Sequence, residues 1–230
     1  MTPSNLEILA YEPSPLGILC LRRRELLSRP GTFVTEVTLN HEFLMSSLYT
    51  DSEQALTRIA LSMHAGTQLR VLVGGLGLGY TAQEALLSSD VANVEVIELL
   101  PQVIDWMAKG LVPLSEQLSS EPRLRIVHGD VYKTLASPPL AKYDLILIDV
   151  DHSPDEHLGS GNSSFYSAAG LQRASEHLSQ DGVLAVWSYA ESSPFADALR
   201  ETFSEVRVEP VTYDNQLIDE TRTDWLFFAR

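Results

Sequence analysis

Arg70–Gly79 reads RVLVGGLGLG: a short apolar run that empties into glycines and opens onto a helical pattern over residues 80–87. This is the signature of a strand, a tight turn and a helix. Glycines there let the backbone turn sharply and approach a ligand closely. The string alone is weak, because any tight strand-to-helix turn can use glycines. Its surroundings strengthen it. Val94–Leu99 forms a second strand pattern with Glu98 at its end, and Pro101 stands at the first position of the next helix. Leu124–His128 is a third strand, closed by Gly129-Asp130. Tyr143–Val150 is a fourth, an almost unbroken apolar run ending at Asp149 and Asp151, as expected of a strand buried on both faces of a parallel sheet.

The alternation continues through a helix over Ser164–Leu178, a strand over Gly182–Tyr189 and a helix over Pro194–Phe203. Two strands, near Val206–Thr212 and Trp225–Ala229, follow with no clear helix between them, so they are expected as antiparallel neighbours at one end of the sheet. Strands alternating with helices imply right-handed crossovers and a doubly wound α/β sheet. The polar stretch Asp151–Ser164 is long for a loop in a compact domain, a feature often tied to function.

Upstream the texture differs. Leu6–Tyr11 and Gly17–Arg22 are strand-like runs around the turn cluster Glu12-Pro13-Ser14-Pro15, and Thr32–Leu39 alternates as a third strand. His41–Tyr49 and Ser52–His64 read as helical. The chain therefore divides into a small N-terminal β-hairpin unit, residues 1–50, and a nucleoside-binding catalytic domain, residues 51–230.

Bulk properties narrow the function. A net charge of −15 over 230 residues repels phosphate backbones and favours a cationic small molecule or basic peptide over nucleic acid. The single Cys20 excludes an internal disulfide and a thiolate metal cluster, and the six histidines show no metal-site spacing. No apolar run has membrane-spanning length. Arg22, Arg23 and Arg24 follow the apolar stretch Pro15–Leu21 instead of preceding it, the wrong polarity for a secretory signal, and a cytoplasmic protein is expected.

The strand tips carry the chemistry. Gly74, Gly75, Gly77 and Gly79 are candidates for cradling a nucleoside. Glu98, with its neighbour Leu99, stands where carboxylates bind ribose hydroxyls in nucleoside-binding sheets. Asp130, with Val131, can meet an adenine amino group or simply cap the helix that begins at Val131. Asp149 stands where the strand order should reverse, the place where open sheets bind ligands. It can act as a general base or hold a cation, with Asp151 and His152 beside it; the bland alternative is a solvated loop start.

These motifs resemble the spermidine synthase family of aminopropyltransferases. The resemblance rests on Gly74–Gly79, Val94–Glu98, His128-Gly129-Asp130, Tyr143–Asp149, Phe165-Tyr166 and Asp181-Gly182-Val183. At the front end it rests on Glu12–Gly17 and Asn40-His41-Glu42, the latter resembling a (Tyr)-(His/Gln)-Glu segment. The resemblance implies a Rossmann-like fold of the S-adenosylmethionine-dependent methyltransferase type, with a seven-stranded, mostly parallel sheet. It also implies that Glu98 binds the ribose of a sulfonium nucleoside, Asp130 its adenine and Asp149 the acceptor amine, with His41 near the nucleoside. The donor would be S-adenosylmethionine or its decarboxylated form, and a homodimer is expected by analogy.

Departures qualify this. The family carries an aspartate in the glycine loop where this chain has Leu76 or Leu78; that acid helps hold the amine of the decarboxylated donor. The family's Asp-Ser-Thr-Asp segment reads Asp149-Val150-Asp151-His152, and the family tyrosine is Asn40. On that ground, methyl transfer from S-adenosylmethionine to a small acceptor leads. Aminopropyl transfer to a diamine and a non-catalytic nucleoside-binding or scaffold protein are the alternatives.

Overall fold

The computed structural model describes residues 5–150, 154, 164–215 and 220–230. Asp151 and His152, expected beside Asp149, lie outside the described residues, as does most of the Asp151–Ser164 loop. The chain opens with β1 (Leu6–Ser14), β2 (Gly17–Glu25), β3 (Phe33–Leu39) and β4 (Glu42–Ser46), an antiparallel sheet in that order. Then follow α1 (Asp51–Ser62), β5 (Leu69–Gly74), α2 (Tyr80–Leu87), β6 (Val91–Glu98), α3 (Pro101–Ala108) and α4 (Ser115–Ser119). The remainder is β7 (Leu124–His128), α5 (Val131–Ala136), β8 (Tyr143–Ile148), α6 (Ala168–Ser175), β9 (Leu178–Ser188), α7 (Ser193–Thr202), β10 (Val206–Asn215) and β11 (Glu220–Ala229).

The second sheet has seven strands in the order β10-β11-β9-β8-β5-β6-β7. β5 pairs in parallel with β6 on one side and β8 on the other, so the strand order reverses at β5. β11 runs antiparallel to both β9 and β10, as expected for strands joined without a helix. The apolar run of β8 is buried on both faces. Leu145 and Leu147 join the core that includes residues of α1, α2 and α3, while Ile146 and Ile148 join the one that includes residues of α5, α6 and α7. All four are fully buried, each worth roughly 1.5–3 kcal/mol of gross burial energy, which makes β8 a rigid mount for the residue after it. Leu19, Leu21 and Val37 of the N-terminal sheet belong to the first of these cores, so that sheet packs on the larger one.

The helix expected over His41–Tyr49 is instead a hairpin return. Asn40 and His41 take positive φ, 52° and 73°, and β4 pairs back on β3. Asn tolerates this backbone region better than most residues. Its side chain also has work in the turn: Asn40 Oδ1 accepts from Ile18 N–H at 2.9 Å, and Nδ2 donates to the Leu16 carbonyl at 3.3 Å. A Cβ on Gly17 would stand 2.1 Å from Asn40 Oδ1, so glycine at 17 is what lets the two turns interlock.

Candidate functional site

β5 ends at Gly74, and the chain turns at Gly75 with φ +96°. A Cβ there would lie 2.1 Å from the Asp149 carbonyl oxygen, so this glycine is required by the close approach of the two strand tips. The approach is tied by Asp149 N–H donating to the Gly74 carbonyl at 2.8 Å and Gly75 N–H to the Ile97 carbonyl at 2.9 Å. Three neighbouring strands, β6, β5 and β8, thus end in one hydrogen-bonded cluster.

Glu98 is buried at the tip of β6, and each carboxylate oxygen is engaged by backbone: Leu76 N–H reaches Oε2 and Leu100 N–H reaches Oε1, both at 2.7 Å. Burial raises its pKa, and the surrounding backbone N–H groups hold the rise back. Asp130 does cap α5: Oδ1 accepts from Tyr132 N–H at 3.0 Å and Lys133 N–H at 3.2 Å. Lys133 Nζ lies 3.4 Å from Oδ2.

These residues border one cleft that opens to solvent at its mouth. Gly75, Gly77, Glu98, Leu99, Asp130, Val131 and Asp149 all line it, so the strand tips singled out from sequence converge. The N-terminal unit supplies the facing wall through Leu16, Leu39, Leu44 and Met45. Mostly apolar walls with a few carboxylates suit a flat heteroaromatic base carrying a polyhydroxyl ring. Gly74 and Gly79 shape the loop without lining the cleft. His41 corrects its expectation: it is exposed in the β3–β4 turn and is not among the lining residues, because the positive-φ turn places it at the tip of that hairpin.

Asp149 belongs to a cluster of acids with raised pKa values. It is half-buried, and desolvation followed by the negative charge of Asp224 pushes its pKa up to about 6, against a hydrogen bond donated by the Thr81 hydroxyl that pulls it down. Glu53, in the first turn of α1, is raised to about 8 by burial, then by repulsion from Asp149 and Asp224. Asp224, on β11, is raised by burial against hydrogen bonds from Ser52 and Trp187. Aromatic groups stand around this trio. Tyr213 is pushed up to about 12 by burial, with Asp224 and Glu53 contributing, and it stacks on Tyr49 at 5.0 Å between centroids. Trp187 Nε1 donates to Ser52 Oγ at 3.0 Å. Carboxylates with aromatic side chains close by form an environment that favours an ammonium ion. Glu53 and Asp224 were not found from sequence. One opens a helix and the other sits within an antiparallel strand, and only the sheet order brings them to Asp149.

The spermine/spermidine synthase domain matches residues 51–208. Among curated relatives, the polyamine aminopropyltransferase of Prochlorococcus marinus is 30% identical over 148 residues, 64% of this chain and 47% of the relative. Polyamine aminopropyltransferase 2 of Streptomyces coelicolor is 32% identical over 123 residues, 53% of this chain and 22% of the relative. The chain thus spans less than half the length of these two relatives. Spermidine synthase from Thermotoga maritima superposes with a TM-score of 0.76 at 16% identity, covering 96% of this chain and 72% of that one. Human methyltransferase-like protein 13 in complex with SAH superposes at 0.59 and 16% identity, covering 78% and 82%. At these identities the structural likeness establishes the shared fold.

Proposed function

Because this chain belongs to the spermine/spermidine synthase family, we propose that it transfers an aminopropyl group from decarboxylated S-adenosylmethionine to a small amine, with the adenosine in the cleft and the acceptor at Asp149. This reverses the order expected from sequence, where methyl transfer led. The observation that carries it is the cluster of Asp149 and Glu53, both half-buried, with buried Asp224, whose raised pKa values mark a place that gains from a cation. The names of the curated relatives support the same reading. The leucines that replace the loop aspartate, Leu76 and Leu78, are buried in the core and put no charge in the cleft. Glu53 supplies an alternative carboxylate near the loop, since its charge raises the pKa of Tyr80, which follows Gly79.

The reaction asks little covalent help of the protein. The acceptor nitrogen attacks the carbon bonded to sulfur, the carbon–sulfur bond breaks with its electron pair remaining on sulfur, and a neutral thioether leaves. The acceptor is an ammonium in water and must first give up a proton. Asp149, with a pKa near neutrality, is suited to receive it. Glu98 and the glycine turn orient the donor, and the apolar walls exclude water, so positioning supplies most of the rate.

The test is incubation with decarboxylated S-adenosylmethionine and putrescine, followed by mass spectrometry. Spermidine and the thioether nucleoside are expected in equal amounts. Asp149→Asn is expected to lower turnover by at least about 100-fold with donor affinity retained. Methylated amine formed from S-adenosylmethionine alone would establish methyl transfer instead. Binding of neither donor would support the scaffold reading.

A further inference from the structure

We propose that Thr81 is a positioning residue for Asp149, its hydroxyl deciding which carboxylate oxygen is left to meet the acceptor. The inference rests on the reading of Asp149 as the group that handles the acceptor amine. Thr81 is the second residue of α2, directly beyond the glycine turn, and is 3% exposed. Its Oγ1 donates a short hydrogen bond to Asp149 Oδ2. Among the described residues Asp149 Oδ1 has no hydrogen-bond partner, so the bond selects Oδ1 as the free face.

Thr81 is itself anchored. Thr57, fully buried on α1, donates from Oγ1 to the Thr81 carbonyl at 3.1 Å. Glu53 lies four residues earlier on the same helix face. α1 therefore meets Asp149 through two residues of one face: the charge of Asp149 raises the pKa of Glu53, and Thr57 secures the threonine that stabilises the Asp149 carboxylate. Among the described residues, the charged and titratable groups around Asp149 are Glu53 on α1 and Asp224 on β11, with Tyr80 on α2 and Tyr213 on β10 next to Glu53. Without a donor on Oδ2, desolvation and the charge of Asp224 drive the Asp149 carboxyl toward its protonated form, in which it can no longer take a proton from an ammonium. Valine matches threonine in shape and lacks only the hydroxyl, so the substitution isolates the hydrogen bond.

Two readouts in the full chain test this. The first follows the Asp149 carboxyl carbon by 13C NMR across pH, its signal assigned by its loss in Asp149→Asn. Thr81→Val is expected to raise the Asp149 midpoint by about one pH unit, and Thr81→Ser to restore it. The second is the pH profile of kcat: its rising limb should move upward by the same amount in Thr81→Val, with donor KM unchanged. Should Thr81→Val not fold, Thr57→Val gives the second route, with a smaller rise of the same sign. An unmoved midpoint in whichever valine variant folds, or a loss that serine does not restore, would overturn the proposal. A moved midpoint in a protein whose wild type turns nothing over would leave the positioning role intact and reject the aminopropyl transfer.

Discussion

Glu98 serves the protein and the ligand with the same two oxygens. Removing the carboxylate strands the N–H groups of Leu76 and Leu100 in a buried place, each at a cost of about 1–3 kcal/mol. Glu98→Ala is therefore expected to lower the melting temperature by several degrees and to abolish binding of the thioether nucleoside, read by thermal unfolding and calorimetry. Unchanged nucleoside affinity would remove Glu98 from the site. Glu53 makes a different prediction. Its pKa rises from an ordinary 4.5 to about 8 on folding. The folded state then binds more protons than the unfolded one between those values, so this group makes stability fall as pH rises through that window. Glu53→Gln is expected to flatten the decline in melting temperature between about pH 5 and about pH 8, and an equally steep decline in the variant would contradict this. The strand-tip acids were legible because a parallel sheet delivers every strand's carboxyl end to one edge. Glu53, Asp224 and Thr81 were not, because no local pattern marks a helix start or mid-strand position as facing a distant tip.

At the scale of elements, the β5–α2 turn and the N-terminal sheet each hold a testable device. Gly75→Ala combines a positive φ with a Cβ 2.1 Å from the Asp149 carbonyl, so the two strand tips must part. A loss of about 2–4 kcal/mol in denaturant unfolding is expected, together with lost nucleoside binding. Across β2 and β3, Glu36 is buried between Arg22 at 2.8 Å and Arg24 at 2.7 Å. Alternation puts both arginines on one face of β2 with Glu36 opposite. Both guanidiniums are partly exposed, so Glu36→Ala is expected to cost about 1–3 kcal/mol, below the cost for a fully buried pair, as measured by denaturant unfolding. From sequence the three arginines served only to argue against a secretory signal, since Arg22 and Arg24 pair with Glu36 on the next strand and Arg23 with Glu7 on the one before. The β3–β4 hairpin was misread as helix for a related reason. The apolar spacing of residues 41–49 fits a helical period, while the turn depends on Asn40 reaching back to Leu16 and Ile18, a contact invisible in a local window.

For the whole molecule, the acidic balance and the cluster of Asp149, Glu53 and Asp224 point the same way. Ammonium binding next to Asp149 and Glu53 favours their ionised forms, so acceptor binding is expected to release protons near neutral pH. Calorimetry in two buffers of different ionisation enthalpy reads that release, and a buffer-independent heat would contradict it. The α/β class, the seven strands and the shared cleft were all legible, because hydrophobic periodicity fixes strand and helix and the doubly wound topology then fixes where the tips meet. The packing of the N-terminal sheet over that cleft was not, since its Leu16, Leu39, Leu44 and Met45 read only as ordinary strand and helix residues. The central claim is that one cleft holds the nucleoside and the acceptor amine on either side of Asp149. A crystal structure of the protein with the thioether nucleoside and putrescine tests it most directly. The account predicts the ribose on Glu98, the base between Asp130 and the apolar wall, and one ammonium within hydrogen-bond reach of Asp149. A nucleoside bound elsewhere, or a diamine that avoids Asp149, Glu53 and Asp224, would contradict it.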